Sequence, residues 1–254
     1  MRVYESKIDK ERLSGMPLCS LGGKIIVVDE PSKVEFAVNV LREAGMIGFD
    51  TETRPSFVKG FRYRIALLQL STAEVCFLFR LQLIGHNELL KGLIEDQSVV
   101  KIGISTHDDF HSLQTWMPCR PMGFVDLQHL VEHFGIEELS LQKIYAIVFG
   151  ERISKSQQLS NWEAVPLSPA QQLYAAIDAW SCMRLFRQFQ ADGPDFVDET
   201  SRLMITGRLT SKKAPIAQTS ATKPEKTVKK KKPHWPHRYK RKPKKNDNNN
   251  TQGA

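Results

Sequence analysis

Between Lys24 and Gln190 the chain alternates short apolar runs with segments of helical periodicity, and this alternation restricts the folds open to it more than any other feature. The run "KIIVV" (24–28) reads as a strand, and "PSKVEFAVNVLREAG" (31–45) reads as a helix closed by glycine. "MIGFDTE" (46–52), "RIALLQLST" (64–72) and "EVCFLF" (74–79) are rich in branched and aromatic residues and are linked closely enough to pair antiparallel. Beyond them, "NELLKGLIED" is helical, "VVKIGIS" (99–105) is a strand and "HDDFHSLQTWM" a helix. "GFVDLQHLVEHFG" is a short strand or turn running into a helix, and "LSLQKIYAIVFG" is another helix. This order requires helices layered on a mixed sheet, an α/β architecture. With 254 residues and 41% hydrophobic content, the chain has ample material for a core.

Composition matters where it excludes. Cys19, Cys76, Cys119 and Cys182 are scattered without a CxxC pair, which fits neither a disulfide framework nor a zinc site and points to a reducing compartment. No apolar run approaches a membrane span, and the opening "MRVYESKIDKERLSGMPLCS" carries charges of both signs where a signal peptide needs an apolar stretch. The expected location is the cytoplasm. The net charge of +8 is unevenly spread. Residues 207–254 carry 15 Lys or Arg against two acids, a net of +13, which leaves 21 basic and 26 acidic residues, a net of −5, in positions 1–206. The tail, centred on "KKKKPHWPHRYKRKPKKNDNNN", is too poor in aliphatic residues to bury a core, so disorder is expected there.

Carboxylates sit where the pattern calls for apolar side chains or caps. Strand alternation sends Asp50 and Glu52 to one face and Phe49 and Thr51 to the other. Two acids side by side raise each other's pKa unless a cation lies between them, and a divalent ion held by carboxylate oxygens is the common solution. In "LSPAQQLYAAIDAWSCMRLFRQFQ", Ser168, Pro169 and Gln171 form a capping-box start, so a helix begins there with Tyr174 and Asp178 on one face. Leu173, Ile177 and Leu185 fall on the adjoining apolar stripe. Asp178 is thus placed at the margin of a buried surface, where an acid is costly unless paired or bound to metal. Asp108 and Asp109 open the helix after the 99–105 strand, and either has the chemistry of a cap.

The segments "GFDTE", "KIGISTHDD" and "LYAAIDA" resemble the three motifs of the DEDD superfamily of 3′–5′ exonucleases, in the subclass whose third motif is Tyr-x-x-x-Asp. The resemblance covers roughly residues 24–190, includes "ALLQLST", "VDLQHL" and "LSNWEAVPLSPAQQLYAA", and is similar to the exonuclease domains of Werner-type helicases and ribonuclease D. It implies a ribonuclease H-like fold with a mixed five-stranded sheet flanked by helices. It also implies Asp50 and Glu52 as first-motif ligands, Asp109 as the second-motif acid through the Lys-x-Gly-x5-Asp spacing from Lys101 and Gly103, and Tyr174 and Asp178 as the third motif. The expected activity is hydrolysis of phosphodiesters at the 3′ end of DNA or RNA, releasing nucleoside 5′-monophosphates. Two divalent ions, Mg²⁺ or Mn²⁺, about 3.5–4 Å apart would lower the pKa of the attacking water and stabilise the leaving 3′ oxygen. Asp50 would bridge them, Glu52 and Asp178 complete the water-activating site, Asp109 hold the second ion, and Tyr174 orient the water. A nucleic-acid-binding module that has lost catalysis is the alternative, and the intact acid set argues against it.

Other residues carry weaker signals. Arg152 and Lys155 in "GERISKSQQLSNW" have the charge to meet a phosphate, and Trp162 can stack on a base, although packing is the expectation. His107 and His111 lack ligand spacing and read as helix-surface residues, while Asp126 is placed either to buttress the site or to cap the helix that follows it, the cap being the expectation. In the tail, Trp235 and Tyr239 are interleaved with Lys and Arg, a composition suited equally to binding nucleic acid and to solubility or generic polyanion adhesion. The expected organisation is an N-terminal extension (1–23), an exonuclease domain (24–192), a linker (193–206) and the basic tail (207–254).

Overall fold

The computed structural model describes residues 2–207. The tail beyond, with Trp235 and Tyr239, lies outside the described residues. In chain order the elements are α1 (Lys10–Gly15), β1 (Lys24–Val28), α2 (Val34–Ala44), β2 (Met46–Thr53), β3 (Ile65–Ser71), β4 (Val75–Arg80), α3 (Leu81–Ile84), α4 (Glu88–Glu95) and β5 (Val100–Gly103). They continue with α5 (Thr106–Trp116), β6 (Phe124–Asp126), α6 (Gln128–Val131), α7 (Leu141–Phe149), α8 (Pro169–Asp192) and α9 (Pro194–Ile205).

The strands form one sheet in the order β1-β4-β3-β2-β5-β6. β3 runs antiparallel to both β2 and β4, whereas β1–β4, β2–β5 and β5–β6 are parallel. The sheet is therefore mixed, as expected, but has six strands rather than five. The sixth is β6, only three residues long, which gains its place by pairing Phe124, Val125 and Asp126 with Lys101, Ile102 and Gly103. Three residues are too few for an alternation pattern to distinguish strand from turn.

Alternation along β2 divides the core. Ile47 and Phe49 join Val38 and Leu41 of α2 and Leu93 of α4 on one face of the sheet. On the other face, Leu67 and Leu78 pack beneath Ala175, Ala176 and Ala179 of α8. The small α8 side chains let helix and sheet approach closely, and Gly48 takes this to its limit. A Cβ there would lie 1.8 Å from the Ala179 carbonyl oxygen, so only glycine fits beneath α8.

The segments on either side of residues 24–192 pack against that region. Ile8 and Leu13 are buried with Ala146 of α7, and the Tyr4 amide donates to the Phe134 carbonyl at 2.9 Å, so the first 23 residues are part of the body. The stretch expected as a linker is α9, whose Val197 is fully buried and whose Phe196 ring stacks on His133. Its apolar positions are few and interspersed with acids, which makes the segment look solvated in sequence. No helix among the described residues is long and apolar enough to cross a membrane.

Candidate active site

Gly48, Asp50 and Glu52 occupy the β2 face turned toward α8, opposite to Ile47 and Phe49. The helix above them starts as its sequence specifies. The Gln171 amide donates to Ser168 Oγ at 3.2 Å, and the Ser168 amide donates to Gln171 Oε1 at 3.0 Å, a complete capping box with Pro169 in the first turn. That start fixes the helical phase, so that Tyr174 and Asp178, one turn apart, point at β2. Leu173 leaves the expected apolar stripe and is 45% exposed, while Ile177 and Leu185 are buried.

Carboxylate oxygens of Asp50, Glu52 and Asp178 all lie within 4.8 Å of one another. Asp178 is only 7% exposed. Burial, and then the carboxylates of Asp178, Glu52 and Asp109, hold the pKa of Asp50 well above the usual range. Burial followed by Asp178 and Asp109 pushes Glu52 up to about 9. Asp178 rises to about 7 through burial, against the opposing pull of the Tyr174 hydroxyl and Lys155. The Tyr174 phenol is itself raised by burial and by the neighbouring carboxylates, so it remains protonated and able to donate.

Asp109 lies outside this triad. Thr51, on the opposite face of β2 from Asp50 and Glu52, donates its hydroxyl to Asp109 Oδ1, and burial raises the acid to about 6. Its neighbour Asp108 has a side chain 97% exposed, which leaves Asp109 as the inward acid of the pair. The turn that delivers Asp109 is strained. Ser105 adopts φ 56°, ψ 38°, an uncommon left-handed conformation for a residue with a side chain. Asp126 secures it by accepting the Ser105 amide at 3.1 Å and the Thr106 amide at 2.9 Å. Asp126 also accepts the Gln128 amide at 2.9 Å, so it touches the first residue of α6 from the position before the N-cap Leu127 and holds the preceding turn as well.

Three mutually repelling acids with raised pKa values, all oxygen donors and without Cys or His among them, fit a hard divalent cation. An unpartnered amide lies alongside. Gln69 pairs with Asp50 across the β2–β3 ladder, is fully buried, and neither its Oε1 nor its Nε2 has a hydrogen-bond partner. Sequence reasoning missed Gln69 and Thr51. Their strand positions relative to Asp50 were the available signal.

The weaker candidates separate clearly. Lys155 is exposed, near enough to Asp178 to lower its pKa, and in no ion pair among the described residues. Arg152 instead donates from Nε to the Met16 carbonyl at 3.1 Å and exchanges backbone bonds with the 16–19 segment, so it ties down the N-terminal region. Trp162 is fully buried and packs on the Tyr174 ring at a centroid distance of 5.8 Å, so it supports Tyr174 and offers no face to a base. His107 and His111 are on the surface. Lys101, read as a spacing marker, is buried and donates from Nζ to the carbonyls of Leu93 at 3.1 Å and Asp96 at 2.6 Å, closing the C-terminal end of α4.

A family model described as 3'-5' exonuclease matches residues 25–193. The mouse bifunctional 3'-5' exonuclease/ATP-dependent helicase WRN is 28% identical over 183 residues, which cover 68% of this chain and 13% of that protein. Exonuclease 3'-5' domain-containing protein 2 of Drosophila melanogaster is 33% identical over 151 residues, 58% of this chain and 26% of that protein. The chain thus spans about a quarter or less of the length of these two curated relatives. Trypanosoma brucei RNase D, solved in complex with RNA U12, shares the fold with a TM-score of 0.64 at 22% identity over 80% of this chain and 76% of that one. With the family match spanning the sheet, the three acids and the capped helix, the chain belongs to the 3'-5' exonuclease family.

Proposed function

We propose that the protein is a metal-dependent 3′–5′ exonuclease that hydrolyses the terminal phosphodiester of an RNA or DNA strand and releases nucleoside 5′-monophosphates. The observation that carries this reading is the convergence of Asp50, Glu52 and Asp178 from β2 and α8 within 4.8 Å. Asp50, Glu52 and Asp178 would hold a divalent ion, Mg²⁺ or Mn²⁺, with Asp50 shared with a second such ion that Asp109 would help to hold. Such ions supply charge neutralisation of the phosphodiester and a water acidified enough to attack near neutral pH. Tyr174, kept protonated by burial and its acidic neighbours, orients that water through its hydroxyl. Lys155, exposed beside Asp178, takes the scissile phosphate. The RNA-bound ribonuclease D of matching fold supports a nucleic-acid substrate. The free cysteines, three of them buried, support a reducing compartment such as the cytoplasm.

The test is digestion of matched 5′-labelled single-stranded RNA, single-stranded DNA and recessed duplexes with Mg²⁺ or Mn²⁺, alongside the Asp50→Asn/Asp178→Asn variant. Stepwise shortening from the 3′ end, with 5′-monophosphate products and no activity in the variant, is expected. Internal cuts, 3′-phosphate products or robust cleavage by the variant would overturn the reading.

A further inference from the structure

The segment joining β2 to β3 carries none of the three motifs. Residues 54–64, "RPSFVKGFRYR", contain four cations (Arg54, Lys59, Arg62 and Arg64) and no acid, in a body whose net charge is negative. Phe57 is 87% exposed, Val58 68% and Phe61 51%, an unusual outlay of apolar surface on one loop. Lys59, Arg62 and Arg64 are exposed and in no ion pair among the described residues.

The loop is a built projection. At its base Arg54 donates from Nη1 to Glu163 Oε2 at 3.1 Å, and its guanidinium covers the Tyr63 ring at 4.6 Å. Tyr63 in turn holds Phe61 edge-to-face at a centroid distance of 4.9 Å. At the tip the Phe61 amide donates to the Val58 carbonyl at 3.2 Å across Gly60, whose φ of +80° is the value the third position of a type II turn demands. Phe57 immediately precedes this turn and Phe61 closes it. Both ends of the loop emerge at the site, since Thr53, its last ladder residue, follows Glu52 and pairs with Ile65.

We propose that this loop is the platform for the unpaired strand leading to the catalytic acids, with bases stacking on Phe57 and Phe61 and phosphates meeting Lys59, Arg62 and Arg64. The proposal rests on the exonuclease reading of the adjacent site. Exposed rings interleaved with unpaired cations match a single-stranded polyanion, because each base offers a π-face and each linkage a charge. Duplex does not match, since its bases are already stacked on one another and only its phosphates are available. The loop thus assigns a specificity: a 3′ end is processed as single strand, and a blunt end must fray first.

The test measures binding by fluorescence anisotropy of a 5′-labelled single-stranded 12-mer and of a blunt duplex of the same sequence. The Asp50→Asn/Asp178→Asn background, which does not cut, is used with and without Phe57→Ala/Phe61→Ala. Stacking contributes about fivefold to 150-fold per base, so the double Phe variant should weaken single-strand binding by about 25-fold or more and abolish the preference over duplex. Lys59→Ala/Arg62→Ala should lower binding to both and reduce the salt slope for single strands by about 1.4. In the catalytically intact chain, the loss of oligonucleotide affinity should exceed any loss of hydrolysis of the p-nitrophenyl ester of thymidine 5′-monophosphate, a one-nucleotide substrate, at least tenfold. Retained single-strand preference in the Phe variant, or parallel losses of both activities, would overturn the platform. Phe-dependent binding in a wild-type chain that hydrolyses neither substrate would leave the platform standing and overturn the exonuclease reading instead.

Discussion

Replacing Gly48 by alanine tests whether the close seat of α8 on β2 sets the geometry of the acids. The added Cβ would lie 1.8 Å from the Ala179 oxygen, 2.7 Å from its carbonyl carbon and 3.4 Å from Met183 Cβ. The first two contacts are with backbone, which cannot rotate away. Since Cβ atoms do not approach other heavy atoms within about 3 Å, α8 must retreat by about 1 Å or more, because interiors are close-packed and do not absorb such overlap elsewhere. Asp178 immediately precedes Ala179, so the retreat pulls it from Asp50 and Glu52. Overpacking of this kind costs about 1–3 kcal/mol. A displacement near 1 Å at a reacting centre costs about 10²-fold in rate. The expected result is a lower melting temperature, weaker Mn²⁺ binding and a loss of exonuclease kcat of about two orders of magnitude. Gly92→Ala in α4 is the control. Its nearest obstacle is the mobile end of Arg42 at 3.1 Å, so better helix propensity should leave it neutral or up to about 1 kcal/mol more stable with full activity. Wild-type melting and turnover in Gly48→Ala would refute the claim that this contact positions Asp178.

The site acids make the metal-free protein pH-sensitive in a definite direction. Glu52 is raised from 4.5 to about 9 and Asp178 from 3.8 to about 7, so their stabilising contribution is full below their unfolded values and is lost as pH rises through the folded ones. Melting in chelator should therefore fall between about pH 4 and 9 and recover with Mn²⁺, and Asp50→Asn should melt higher than wild type without metal while losing hydrolysis. A flat metal-free profile would contradict this. Tyr174→Phe should lower kcat by about 10²–10⁴ with Mn²⁺ affinity nearly unaltered, measured by single-turnover kinetics and calorimetry; wild-type turnover would return Tyr174 to a packing role. Gln69→Leu removes a buried amide without partners, so it should raise metal-free melting. It should also weaken Mn²⁺ binding, because the amide then no longer faces Asp50; unchanged binding would make Gln69 irrelevant to the site.

How far the sequence reveals such a molecule depends on the range of the interactions. The alternation in "MIGFDTE" and the cap at Ser168 act within a few residues, so they foretell which way Asp50, Glu52, Tyr174 and Asp178 point. The distances between them depend on Gly48 meeting Ala179, a contact 131 positions apart that no local pattern encodes. The same divide explains why the flanking segments look solvated in sequence, since Ile8 and Val197 become core only through α7 and α8. Asp126 is the clearest instance. Local reasoning finds its bond to the Gln128 amide, but its bonds to Ser105 and Thr106 cross 21 and 20 residues and exist only because β6 lies beside β5. Asp126→Ala should therefore cost more than the roughly 1 kcal/mol of a lost cap. It releases a left-handed Ser105 whose strain then favours relaxation of the turn, and Asp109, four residues on, loses its bond from Thr51. The expected signature is a stability loss of about 2–4 kcal/mol together with a weakened second Mn²⁺ in a titration that resolves two, the first being nearly unaffected. Equal weakening of both, or a loss no larger than a single cap, would show that Asp126 serves only the helix after it.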